Sequence, residues 1–267
     1  MLTLNNQEVV AAIFDVDSTL LDNSDYPDPR LALHERSRLA AVHEVGRRHG
    51  IKELQEIDLQ ENLDAFLEAK THTLNGAVWN ILFRTGLVGE EELEPSNPLL
   101  QEIVNLKNEL HKDILLEFGK EVPGARDFLV KLSAAGLQGK MAVASTAVRR
   151  DLDIFFTKYD MWDFFAKERV IALENVTHAK PHPEAFSLAY QTLGLPDELR
   201  SRTIAFEDDP RGIMSAKAAG LIVCGITTRY NREHLAALEI APDYIAGGYA
   251  EFEQLLGLTP TPSGQLT

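Results

Sequence analysis

Over residues 122–258, short apolar runs alternate with amphipathic stretches, and this alternation limits the fold more than any other feature of the chain. Residues 141–144, 169–172, 203–206, 222–226 and 244–246 read as strands. Residues 124–135, the stretch through Phe155 and Phe156, 183–193 and 210–219 read as helices between them. The last has Pro210 at a favourable first position and Gly220 as its stop. Strands that alternate with helices in this way imply a parallel sheet covered by helices on both faces.

A further apolar run, Val9-Val10-Ala11-Ala12-Ile13-Phe14, precedes a long region with a different texture. Leu74, Ala77, Val78, Ile81 and Leu82 repeat at helical spacing, as do Leu59, Leu63, Phe66 and Leu67, and nearly so Leu99, Ile103, Leu106 and Leu110. No strand interrupts this block, so residues 9–14 are expected to pair within the later sheet. The organisation that follows is an α/β core formed by residues 1–21 and 120–258, with a helical insert over 22–119. Residues 259–267, rich in Pro and Thr, read as a disordered tail.

A chain of 267 residues has room for a sizeable core and an insert. Its net charge of −15 argues against a general nucleic-acid binder, which needs clustered Lys and Arg, but still allows a small phosphorylated ligand. Cys224 stands alone in an apolar run and reads as a buried hydrophobe, not a catalytic thiol. No signal-like start and no membrane-length apolar run is visible, so the expected compartment is the cytosol, without membrane association. Asn175-Val176-Thr177 matches a glycosylation sequon, read as chance in that setting.

Ligands of open parallel sheets bind beyond the carboxyl ends of the strands. Three expected strands end there in polar clusters: Asp15 with Asp17, Ser145 with Thr146, and Glu207-Asp208-Asp209. If residues 15 and 17 continued the strand, their carboxylates would share a face at roughly 6–7 Å. Such a pair needs a cation between its members or a retained proton. The alternative is a solvated strand end with Ser18 and Thr19 as caps. Lys180, between Ala179 and Pro181, lies in a loop just before a helix. Asp209 precedes Pro210 and reads as an N-cap in preference to a metal ligand, and Thr146 is expected to cap the following helix. His178 and His182 have helical metal spacing, but Pro181 and Pro183 interrupt any helix, so no metal site is read there.

Asp15-Val16-Asp17-Ser18-Thr19, Ser145, Lys180-Pro181 and Glu207-Asp208 together resemble the haloacid dehalogenase-like superfamily, whose members are mostly phosphohydrolases. The run Phe206–Ile213 with Ala218-Ala219-Gly220 looks most like the branch of phosphoglycolate phosphatases and β-phosphoglucomutases. That resemblance implies a Rossmann-like core with an inserted α-helical cap. It implies Asp15 as nucleophile, Asp17 as acid and base, and Lys180 as charge neutraliser. Phosphate would be held by Ser145, Thr146 and Lys180. It also implies Mg²⁺ on Asp15, Asp17 and Asp208, with Glu207 close behind. Ser18 stands where Gly is more usual, and Asp209 where Ser is more usual.

Within the insert, His34 and Lys107 resemble cap residues that read the non-phosphate part of a substrate. An arginine expected near Thr73 and Leu74 to hold a second phosphate is missing, which weakens a mutase reading. The expected activity is therefore hydrolysis of a small phosphorylated metabolite through an aspartyl-phosphate. A sugar-phosphate mutase and a non-enzymatic phospho-receiver are the alternatives. Because Asp17 is present, a dehalogenase is disfavoured, and no cap lysine nucleophile identifies a phosphonatase.

Overall fold

The computed structural model describes residues 2–22, 32–71, 73–89 and 93–258, and the tail expected to be disordered lies outside them. The chain divides into two units, Asn23–Gly119 and the combination of Met1–Asp22 with Lys120–Thr267.

The first unit is helical: α1 (Leu33–His49), α2 (Lys52–Gln55), α3 (Leu59–Leu67), α4 (Leu74–Arg84) and α5 (Pro98–Phe118). Local sequence starts these helices. Asp58 and Glu61 form a reciprocal capping box at α3. At α4, the Thr73 hydroxyl accepts the Gly76 amide, and at α5 the Asn97 side chain accepts the Leu99 and Leu100 amides ahead of Pro98. The apolar faces of α1, α4 and α5 meet in a core of Val42, Val45, Val78, Ile81, Leu82, Leu100 and Ile103. Arg38 is buried there, and its guanidinium donates to Asn62 Oδ1 at 2.9 Å and to the Asn62 carbonyl at 2.7 Å.

The second unit begins with a hairpin, β1 (Thr3–Leu4) and β2 (Gln7–Glu8), turned by Asn5 and Asn6, both at positive φ. Then come β3 (Ala11–Phe14) and β4 (Leu21–Asp22). After the helical unit the order is β5 (Lys120–Glu121), α6 (Ala125–Leu132), β6 (Met141–Ala144), α7 (Arg149–Lys158), β7 (Val170–Ile171) and α8 (Glu184–Thr192). It closes with β8 (Thr203–Glu207), α9 (Pro210–Ala218), β9 (Ile222–Ile226), α10 (Arg232–Ala236), β10 (Tyr244–Ala246) and α11 (Tyr249–Leu255).

Six strands form one parallel sheet in the order β10-β9-β8-β3-β6-β7, as the alternation requires. β4 and β5 pair antiparallel, so the two ends of this unit that border the insert are joined by a short ladder. Neither small ladder was expected from the sequence, because two-residue strands carry no periodicity.

Strand alternation divides the sheet's side chains between two cores. Ile13, Ala142, Ala205 and Val223 pack with Phe186, Ala189, Tyr190 and Ile213 from α8 and α9. Phe14 and Phe206 stack at 4.7 Å between ring centroids, and Phe206 meets Phe128 of α6 and Phe252 of α11 edge-on at 5.2 and 5.1 Å. Each such buried ring contributes about 1.5–3 kcal/mol. Cys224 is buried in β9, where burial first and Asp243 second push its thiol up and keep it protonated. Among the described residues no helix is long and apolar enough to cross a membrane.

Candidate active site

β8, β3 and β6 are adjacent and parallel, so their carboxyl ends bring Glu207 and Asp208, Asp15, and Ser145 to one edge of the sheet. The strand pairing of β3 stops at Phe14, which corrects the expectation that Asp15 and Asp17 continue one strand face. The Asp15 amide still donates to the Phe206 carbonyl at 3.0 Å, and the chain then turns. The amides of Thr19, Leu20 and Leu21 all donate to the Val16 carbonyl, with Ser18 at φ 58. A left-handed residue here explains why glycine would be at ease at this position. The turn keeps Asp17 near Asp15, close enough for its charge to act on the Asp15 carboxyl.

Lys180 holds the cluster together. Its Nζ donates to Asp15 Oδ1 at 2.5 Å and to Glu207 Oε1 at 2.7 Å, with the ammonium buried and lying over the Phe186 ring. Burial opposes the charged lysine, but Asp15 and Glu207 outweigh it and raise the ammonium above its ordinary range. The other Glu207 oxygen, Oε2, accepts the amides of Asp208 and Asp209, both at 3.0 Å. Glu207 is thus occupied on both oxygens and shapes the loop.

Asp208 is buried, and Thr19 Oγ1 donates to its Oδ1 at 3.2 Å. Among the described residues its Oδ2 has no hydrogen-bond partner. Burial, then Glu207 and Asp15, push the Asp208 carboxyl well above the usual carboxylate range. Asp15 is raised as well, by burial first, with Lys180 opposing and Glu207 and Asp17 adding to it. Ligand oxygens of Asp15, Glu207 and Asp208 all lie within 4.8 Å of one another. Two carboxyls on one ammonium, with the orphaned Asp208 oxygen beside them, make an oxygen-lined place for a hard cation such as Mg²⁺.

Ser145 is buried at the end of β6, where its Oγ accepts the Ala147 amide at 3.0 Å. Thr146 is exposed and caps nothing: α7 has Val148 at its N-cap and no side-chain cap bond. This corrects the capping expectation, because the helix starts two residues later than that reading requires. Asp209 is the N-cap of α9 and accepts the Arg211 amide at 2.9 Å. Burial opposes its charge, but bonding to Arg211, helped by Arg229, holds it below the usual range.

His34 and Lys107 belong to the helical unit and meet there, Lys107 Nζ to His34 Nδ1 at 3.2 Å. Sequence reasoning missed their neighbours His111, stacked on His34 at 4.2 Å, and Ser37, 3.0 Å from His111 Nδ1. It also missed Tyr249, whose buried hydroxyl donates to the Thr19 carbonyl at 2.6 Å and steadies the turn next to Asp208. Lys107 and His111 stand one helical turn apart, a spacing that identifies a shared face. Tyr249 has no signal of that kind. No helix runs through His178 and His182, as expected, but the turn itself brings their rings to 4.6 Å, so the ground on which a metal site was set aside is insufficient.

Residues 9–220 match the haloacid dehalogenase-like hydrolase family, and the chain belongs to it. It is 33% identical over 135 residues to glycerol-1-phosphate phosphohydrolase 1 of Saccharomyces cerevisiae, covering 48% of this chain and 52% of that protein. The chain thus spans about half the length of that relative. It is 25% identical over 254 residues to the phosphoglycolate phosphatase of Vibrio vulnificus, covering 93% of this chain and 96% of that one. In fold it resembles a family IA hydrolase from Entamoeba histolytica, with TM-score 0.71, 21% identity, and coverage of 93% and 98% of the two chains.

Proposed function

We propose that the protein is a Mg²⁺-dependent phosphatase that hydrolyses a small phosphomonoester through an aspartyl-phosphate on Asp15. The observation that carries this reading is Lys180 bridging Asp15 and Glu207 beside an Asp208 oxygen that has no partner among the described residues. Relatives named for glycerol 1-phosphate and phosphoglycolate hydrolysis support the substrate class.

Asp15, Asp208 and the Asp17 backbone carbonyl would hold the metal, with Glu207 behind them. When bound, it supplies positive charge that lets buried carboxyls ionise and offsets charge on phosphoryl oxygens. Lys180 occupies Asp15 Oδ1, so the other oxygen attacks phosphorus. As the O–P bond to Asp15 forms, the ester P–O bond breaks, and Asp17 gives its proton to the leaving alkoxide. In the second half, the Asp17 carboxylate takes a proton from water. The water oxygen attacks phosphorus, and the Asp15–phosphorus bond breaks to release phosphate and restore both carboxyls. Ser145, the exposed backbone at Thr146 and Lys180 bind the phosphoryl oxygens, since positioning and charge compensation dominate this chemistry. His34 and Lys107 are assigned to binding the non-phosphate part of the substrate.

A phosphate-ester screen with Mg²⁺, run on wild type and Asp15→Asn, tests the proposal. Wild type releases phosphate, and Asp15→Asn does not. Hydrolysis that survives in Asp15→Asn overturns it. Rapid isomerisation of a hexose 1-phosphate with little phosphate released would favour the mutase, and a long-lived phospho-Asp15 without turnover the receiver.

A further inference from the structure

Outside the carboxylate cluster, the segment between β7 and α8 gathers a second set of metal-ligating side chains. The Glu184 carboxylate is fixed first: its Oε1 accepts the Thr177 amide at 2.9 Å and its Oε2 the His178 amide at 2.8 Å. The His182 amide donates to the Ala179 carbonyl at 3.1 Å, and Ser215 Oγ on α9 donates to the His182 carbonyl at 2.7 Å, so the turn is held at both ends. These bonds bring both imidazoles to the side of Glu184, His178 against its carboxylate and His182 against its backbone amide. His178 Nδ1 lies 3.1 Å and His182 Nδ1 3.9 Å from Glu184 Oε2. The ligand atoms of the three residues all fall within 4.8 Å of one another.

Nitrogen and oxygen ligands about 2.0–2.2 Å from a tetrahedral zinc stand roughly 3.3–3.5 Å apart. The two separations bracket that spacing, and an ion would be bound once the His182 ring moves toward Glu184 Oε2 and its Nδ1 exchanges the Glu184 amide, which donates to it at 3.3 Å, for the metal. Both histidines are exposed, which gives an ion access from solvent. The two rings line an open, largely apolar depression shared with Met214, Ala218 and Ile240, so the side facing solvent is free for water as fourth ligand.

We propose that His178, His182 and Glu184 form a binding site for a borderline-soft divalent cation of the Zn²⁺ class. Two imidazoles favour Zn²⁺, Ni²⁺ or Cu²⁺ over Mg²⁺, whereas the all-oxygen cluster at Asp15 and Asp208 favours the hard ion. The two sites are therefore separable by metal type. His178 and His182 flank Lys180, so an ion at this site ties down both sides of the residue that bridges Asp15 and Glu207.

The test is calorimetric titration of Zn²⁺ into the full-length protein already saturated with Mg²⁺, with bound metal counted after dialysis. Wild type and Asp208→Asn are expected to hold the same Zn²⁺ at this site, and His178→Ala/His182→Ala to lose one equivalent. Zn²⁺ should slow amide hydrogen exchange over residues 177–184 in wild type and leave it unchanged in the double variant. Co²⁺ should give tetrahedral visible bands that the double variant lacks. Unchanged Zn²⁺ stoichiometry in the double variant, or no Zn²⁺ uptake by wild type, overturns the proposal. None of these readouts uses catalysis, so the phosphatase reading stands or falls separately.

Discussion

Gly212 lies so close to Glu207 that a side chain at this position would share its space: a Cβ there would sit 1.7 Å from Glu207 Oε1. The first turn of α9 packs directly against the carboxylate that receives Lys180. Gly212→Ala must push Glu207 aside and loosen the Lys180 bridge. Overpacking of this kind costs about 1–3 kcal/mol, and a misplacement near 1 Å costs about 10²-fold in rate. Thermal melting and phosphate release should show both losses. Gly89→Ala, where a Cβ meets nothing within 4 Å, is the control and should change neither.

Lys180→Met removes the ammonium and leaves Asp15 and Glu207 buried without their shared partner. Breaking a buried ion pair from one side costs about 3–5 kcal/mol. Urea denaturation in the absence of divalent metal should report a loss of that size. An unchanged midpoint would show that the bridge does not hold the cluster.

The raised carboxyls of Asp15 and Asp208 make a signed prediction about pH. A carboxyl whose folded pKa lies above its unfolded value binds protons more tightly when folded. Stability of the metal-free protein therefore falls as pH rises from the ordinary carboxylate pKa through the folded values. Mg²⁺ needs the ionised carboxyls, so the stabilisation it gives should grow over the same range. Melting temperatures across a pH series, with Mg²⁺ and with a chelator, check both slopes. Asp208→Asn should weaken the Mg²⁺ effect and flatten the chelated series.

Asp17→Asn removes the proposed proton carrier while leaving Asp15 in place. General acid–base catalysis is worth about 10²–10⁴-fold, and kcat should fall by that order for alkyl phosphates. Esters with acidic leaving groups need less protonation, so they should lose less in the first step. Burst measurements over a leaving-group series separate the two halves.

In the helical unit, the histidine protonation follows from the donors present. The Ser37 hydroxyl has one proton and two backbone carbonyls in reach, Leu33 at 2.8 Å and His34 at 3.1 Å. Its oxygen therefore accepts from His111 Nδ1. The Lys107 ammonium can only donate, so His34 Nδ1 accepts and its proton sits on Nε2. Nitrogen chemical shifts should report an unprotonated Nδ1 in His34 and a protonated Nδ1 in His111. His111→Phe keeps the stack but loses the Ser37 bond, at about 1 kcal/mol by denaturant titration.

Much of the architecture was legible because periodicity is local. Leu74, Ala77, Val78, Ile81 and Leu82 announce α4 with no tertiary information, and residues 203–206 announce β8 almost to its end. The short ladders of two-residue strands were not legible, nor was the late start of α7, where Thr146 looked like a cap. At the candidate site the charged residue types stood out in the sequence. Thr19 was visible as part of the motif but not as the partner of Asp208, and Tyr249, which holds the Thr19 carbonyl, was not visible at all, since neither has a charge or spacing that marks these contacts.

Sequence alone determined the alternation of strands and helices, the helical insert, and which acidic, hydroxyl and lysine residues fall at strand ends. Those properties depend on neighbours a few positions apart. Only the tertiary structure decided that Glu207 spends both oxygens on Lys180 and its own loop, and that Asp208 Oδ2 has no partner among the described residues. It alone also decided that a proline-broken turn still gathers His178, His182 and Glu184. Partnership among polar atoms is settled by hydrogen bonds across 27 or 165 positions of chain, as from Lys180 to Glu207 and to Asp15, and no local pattern encodes that reach.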